Sequence, residues 1–142
     1  MLEHILIAVD GSALSRHAAR FGLALAAQLK AKATLLTVLP QPRLIPMGPL
    51  GTSISTSAPG ELEISKLREQ LDAIAAESPA VKPDRVVELG SPAETIIDWA
   101  SHHGVDLIVL GAHGHGAARR FLLGSVSDRV VQNAHCPVTV WR

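Results

Sequence analysis

The stretch with the most chemical content runs Leu110-Gly111-Ala112-His113-Gly114 and, after a short segment holding Arg119 and Arg120, ends in Gly124-Ser125-Val126-Ser127. Glycines leave an apolar run that reads as a buried strand, and a Gly-Ser pair opens a run of helical spacing. A helix start offers backbone N–H groups without intrahelical partners and the positive end of the helix dipole, and both favour an anion such as a phosphate. A side chain at Gly111 or Gly114 would hold a ligand away from the backbone and forbid left-handed conformations. The Ser125 hydroxyl has two roles open to it: donor to a phosphate oxygen, or ordinary cap of the helix that follows. Arg119 and Arg120 have two as well, neutralising a phosphate or standing solvated on a loop.

Other constellations point less far. The pairs His102-His103 and His113-x-His115 invite a metal reading, but they lack the cysteine or carboxylate companions of a zinc site. Phosphoryl transfer uses positioned charge, commonly a lysine, a metal-binding carboxylate and a residue that orients the nucleophile. The glycine-rich stretch has no lysine, its nearest acids are Asp106 and Asp128, and no G-x-x-x-x-G-K-[ST] loop occurs in the chain. The first apolar run is followed by Asp10-Gly11-Ser12 and not by G-x-G-x-x-G, which argues against dinucleotide chemistry. Asp10 can cap or turn the chain there, and as a carboxylate it suits an amino group or a sugar hydroxyl while repelling a phosphate. These residues suit a binder better than a catalyst.

The elements that must position them alternate. Apolar runs at His4–Val9, Ala33–Val38, Arg85–Glu88, Val105–Leu110 and Pro137–Trp141 read as strands buried in a parallel sheet. Between them, apolar residues recur at helical spacing: Leu14 to Leu29, Ile64 to Ile74, Ala93 to Ala100, and Ser125 to Ala134. Ser91-Pro92-Ala93-Glu94 gives a cap serine, a proline in the first helical position and a glutamate three residues after the serine, and Gly104 closes that helix. Such alternation predicts an α/β fold, a doubly wound open sheet of five mainly parallel strands, with ligands at the carboxyl ends of the strands. The segment from Pro40 to Pro59 holds five of the nine prolines and no usable periodicity, and it reads as a long flexible loop, either a surface excursion or a lid.

The 142 residues suit one domain, and 47% hydrophobic against 18% charged residues places the chain among folding sequences. The formal charge of zero gives no footprint for nucleic acid, and no apolar run is long enough to span a membrane. Cys136 is the lone cysteine, so no internal disulfide forms. With no leader pattern at Met1-Leu2-Glu3-His4, the expected location is cytoplasmic.

Gly111, two residues, Gly114, nine residues, then Gly124 and Ser125 resembles the G-2x-G-9x-G-S/T signature of ATP-binding universal stress proteins. The opening His4-Ile5-Leu6-Ile7-Ala8-Val9-Asp10-Gly11-Ser12, the middle Gly90-Ser91-Pro92-Ala93-Glu94 and Val105-Asp106-Leu107-Ile108-Val109-Leu110-Gly111, and the closing Cys136-Pro137-Val138-Thr139-Val140 are similar to the same family. The resemblance implies strand order 3-2-1-4-5 and ATP, with Mg²⁺, across the ends of the first and fourth strands. It implies Ala8, Val9, Asp10 and Val38 at the base, Leu110 and Gly111 at the ribose, and Gly114, Gly124, Ser125, Val126 and Ser127 around the phosphates. Serine stands at the last of these where the family often has threonine, which keeps the hydroxyl. It also implies a homodimer through the last strand (Val138, Val140, Trp141), whose bare apolar edge calls for pairing. The expected role is a nucleotide-dependent stress-response module read by a protein partner. A structural dimer of the same fold without nucleotide, or a weak ATPase, are the alternatives.

Overall fold

The computed structural model describes residues 1–41, 44–47, 52–55, 60–114 and 123–142, the segments 44–47 and 52–55 as backbone. In chain order the elements are β1 (His4–Ala8), α1 (Ala13–Leu29), β2 (Lys32–Leu39), β3 (Leu44–Met47), β4 (Thr52–Ser55), α2 (Glu61–Ala76), β5 (Asp84–Leu89), α3 (Pro92–His102), β6 (Leu107–Gly111), α4 (Ser125–Asn133) and β7 (Val138–Trp141). Five strands make one sheet in the order β5-β2-β1-β6-β7, every neighbouring pair parallel. Numbered among themselves these are 3-2-1-4-5, the order the family resemblance implied, in the doubly wound arrangement expected from the alternation of elements.

The central strands are apolar on both faces because each face carries a helical layer. Ile5 and Ile7 of β1 pack with Ala18, Ala19 and Leu23 of α1 and with Leu71 of α2. Leu6 points the other way, to Ala93, Ile96 and Ala100 of α3 and Val130 of α4. The same alternation splits Val109 from Ile108 in β6 and Leu35 from Leu36 in β2. Helix α1 begins at a serine cap, the Ser12 hydroxyl accepting the Ser15 N–H at 3.2 Å. It ends where Lys30 turns left-handed (φ 54°) and its N–H reaches the Ala26 and Ala27 carbonyls.

Three details differ from the sequence expectation. Part of the Pro40 to Pro59 segment is ordered as an antiparallel pair, β3 with β4, matching Leu44 to Ser55 and Met47 to Thr52. Every strand of a two-stranded ribbon is an edge, so Pro46 is tolerated. Ser91 does stand at the cap of α3, but its hydroxyl donates to Glu94 Oε2 at 2.6 Å and no side chain caps the helix. In β7, Val138 and Val140 are partly buried against the α3/α4 layer, while Trp141, 37% exposed, stacks with His17 and lies tilted against Phe21 of α1. The strand is terminal in the sheet, yet its two valines are largely committed to the core.

At the opposite end of β1 a polar knot surrounds the buried side chains of His4 and Thr34. Asp106 Oδ2 accepts the backbone N–H groups of Glu3 and His4, each at 2.9 Å. His4 Nδ1 lies 3.1 Å from the His103 carbonyl, and Nε2 lies 2.9 Å from Thr34 Oγ1. A carbonyl can only accept, so Nδ1 carries the proton and Nε2 accepts from the threonine hydroxyl. His103 in turn stacks on Trp99, ring centroids 3.8 Å apart. Burial holds the His4 imidazole below the ordinary histidine value. The unfolded chain therefore takes up this proton first, and stability falls as pH drops below about 6.5. Urea titrations from pH 7.5 down to pH 5 should show a smaller loss in His4→Gln than in the parent protein; equal slopes would mean that His4 does not contribute.

Candidate functional site

A cleft of about 540 Å³ opens at the carboxyl ends of β1, β2 and β6, beside the start of α4. Strand order reverses between β1 and β6, and an open parallel sheet leaves a crevice at such a point because the connections leave on opposite faces. The volume falls within the usual range of small-ligand pockets.

One wall comes from β1 and the turn after it: Ala8, Val9 and Asp10. Asp10 Oδ1 accepts the Ser12 N–H at 2.9 Å, which closes the turn and sets Ser12 as the cap of α1. Gly11 supplies the positive φ, 86°, that this turn requires. The second wall is the end of β2, Leu36 to Leu39, followed by Pro40. It is tied to the first by Val9 N–H to the Leu36 carbonyl and by Thr37 Oγ1 to the Val9 carbonyl, both at 2.9 Å.

The remaining side is built by the glycine segment. Leu110 and Gly111 end β6, and a Cβ on Gly111 would lie 3.1 Å from the Leu14 carbonyl carbon and 3.2 Å from the Ser15 nitrogen. A Cβ on Gly114 would meet Asp10 Oδ2 at 2.5 Å. Neither glycine has a positive φ, so the expected left-handed conformation is absent and the requirement is space. Gly114 brings the end of β6 against the carboxylate at the end of β1.

Gly124, and not Ser125, caps α4, with extended backbone (φ −65°, ψ 164°) and no side-chain cap. This removes the reading of Ser125 as the cap: it is the first helical residue, exposed, on the cleft. Val126 lines the cleft beside it. Ser127 is buried, and its hydroxyl donates to the Ala112 carbonyl at 2.7 Å, with the Gly124 carbonyl 3.0 Å away. The Gly124 N–H reaches the same Ala112 oxygen at 2.7 Å. The Ser127 proton thus fastens α4 to the end of β6, and the donors left for an anion are the first-turn backbone N–H groups and the Ser125 hydroxyl.

Of the sequence-derived site residues, Ala8, Val9, Asp10, Val38, Leu110, Gly111, Gly114, Gly124, Ser125, Val126 and Ser127 share this one cleft. Arg119 and Arg120 lie outside the described residues. Among the described lining residues there is no lysine or arginine, so the positive field comes from the helix dipole. His102 and His103 are placed elsewhere, their Nδ1 atoms against the Asp98 and Trp99 carbonyls, near the start of β1. Among the described residues no group of three or more His, Cys, Asp or Glu is arranged for a metal ion. Thr37, Leu67, Pro92, Ile96 and His113 also line the cleft and were not singled out as ligand residues. Only His113 carried a signal, its place between Gly111 and Gly114.

The universal stress protein family model matches residues 1–142. A universal stress protein of Methanocaldococcus jannaschii is 31% identical over 144 residues, spanning 99% of this chain and 82% of that protein. Two solved structures are superposable at fold level: a universal stress protein in complex with cAMP (TM-score 0.73, 22% identity, 98% of this chain and 95% of that one), and the universal stress protein from Archaeoglobus fulgidus in complex with dAMP (TM-score 0.66, 20% identity, 100% and 98%). With a match along its whole length, and the sheet and glycine segment in place, the chain belongs to the universal stress protein family.

Proposed function

We propose that this protein is an adenine-nucleotide-binding regulatory module, with ATP as its ligand and Mg²⁺ arriving on the phosphates. The observation that carries this reading is the meeting, in one cleft, of a helix start at Gly124-Ser125 with no side-chain cap, two glycines, Gly111 and Gly114, whose Cβ would crowd Leu14, Ser15 and Asp10, and the Asp10 carboxylate. An anion suits the helix end and a hydrogen-bond donor suits the carboxylate, so a ligand that is anionic at one end and rich in N–H or O–H at the other fits both. A nucleotide is such a ligand, and two neighbours of the same fold were solved with cAMP and dAMP. Gly111, between the two ends, lies where a sugar would pass. A divalent ion on a triphosphate keeps phosphate and water oxygens as ligands, which asks little of the protein.

The described lining residues offer hydrogen-bond donors to an anion but no lysine or metal-binding carboxylate cluster of the kind phosphoryl transfer uses, which favours binding over fast hydrolysis. A second copy joins through the free edge of β7, with Trp141 and Phe21 exposed beside it; this homodimer passes the ligand-bound state to a protein partner in the cytoplasm. Calorimetric titration of nucleotide-stripped protein with ATP and Mg²⁺ tests the reading. Binding in the micromolar range, about −8 kcal/mol, is expected. No heat, together with no protection against thermal unfolding, would reject it in favour of a structural dimer.

A further inference from the structure

His113 belongs to the cleft but has no part in the reading above. Its backbone is held on both sides: the preceding carbonyl, of Ala112, receives Gly124 N–H and Ser127 Oγ, and Gly114 follows against Asp10. A Cβ on Gly124 would be 3.4 Å from His113 Cα, so the residue lies directly against the start of α4. Its Nδ1 is closed off from solvent and has no hydrogen-bond partner, the one such side-chain atom among the described residues. A buried polar atom left unpaired costs stability, and its retention calls for an explanation. Here the explanation is a partner that comes with the ligand.

We propose that His113 senses the phosphate end of the bound nucleotide: its imidazole turns on its side-chain torsions toward the cleft, and Nδ1–H donates to a phosphate oxygen held at the start of α4. The assignment rests on the nucleotide reading. The helix end selects an anion, an anionic oxygen only accepts, and so the nitrogen beside it must be the donor. Because no intramolecular bond fixes Nδ1 in one tautomer, the proton is available there at no loss of another contact. With no lysine or arginine among the described lining residues, a single N–H donor matters more than it would in a cationic pocket.

The test compares ATP with adenosine, which lacks the phosphates, by calorimetry on the full chain. His113→Phe keeps a ring and removes the nitrogen; His113→Asn restores a donor at the δ position, and His113→Gln moves it one bond further out. We expect His113→Phe to weaken ATP about 10-fold while adenosine affinity stays within about twofold, as for loss of one hydrogen bond to a charged group. Asn should recover most of the ATP affinity and Gln should not, and Gln against Asn gives the same comparison if the Phe variant does not fold. Equal weakening of both ligands would make His113 a structural residue, and an unchanged ATP-to-adenosine ratio would also overturn the proposal. Failure of the parent protein to bind either ligand would instead reject the nucleotide reading, and this assignment with it.

Discussion

ATP binding should disappear in a Gly114→Val, Gly124→Val double variant, a loss of at least about 100-fold, or about 2.7 kcal/mol. Each new side chain enters space that is already taken. At Gly114 the Cβ alone would stand 2.5 Å from Asp10 Oδ2, so the carboxylate must swing away and leave the position from which it meets a ligand. At Gly124 the Cβ would stand 3.2 Å from the Ala112 oxygen, the atom that anchors both Gly124 N–H and Ser127 Oγ. Pushing there moves the first turn of α4 and the donors it presents. Circular dichroism and the thermal midpoint decide whether the variant is folded. A folded double variant that binds ATP like the parent would exclude the glycine segment as the site.

Leu23→Ala should destabilise the fold by about 3 to 5 kcal/mol without removing the site. Leu23 is fully enclosed between α1 and β1 in the cluster with Ile5, Ile7 and Leu71, so truncation leaves a void that the sheet cannot collapse to fill. Leu62, 71% exposed near the start of α2, is the matched control, and its replacement by alanine should change stability by less than about 0.5 kcal/mol. Urea unfolding of the two variants separates these outcomes, and similar midpoints would mean that the α1 layer is more deformable than its packing indicates. Below its transition Leu23→Ala should still bind nucleotide, because Leu23 does not line the cleft.

Much of this was legible in the sequence because the informative residues had no second job. Gly111, Gly114 and Gly124 are poor strand and helix residues, so their spacing stands out against the apolar runs, and Asp10 stands out at the end of one. Thr37, Leu67, Pro92 and Ile96 were illegible as cleft residues for the converse reason. Each also satisfies a strand or helix pattern, and only the placement of one element against another turns it toward a ligand. Cap positions blur for a related reason: glycine and serine both start helices well, so Gly124-Ser125 left the cap unassigned until the backbone put it on Gly124. The Ser127 hydroxyl was assigned to phosphate from the family resemblance, whereas its direction depends on how close α4 comes to Ala112. The β3/β4 pair escaped because Pro46, Gly48, Pro49 and Gly51, in it and between its strands, read as breakers and hide the alternation that marks a strand.

The two indole rings stand at opposite ends of the sheet. Trp141 pairs with Gly111 across the ladder and accepts the Ala112 N–H, one covalent step from the glycine segment, whereas Trp99 stacks on His103 beside the His4 knot. With no tyrosine in the chain, its intrinsic fluorescence comes from these two residues. A Trp99→Phe protein would emit from the ligand end alone, and a Trp141→Phe protein from the acid-sensitive end alone. The molecule thus carries two optical channels, one for occupancy and one for protonation, with no label added.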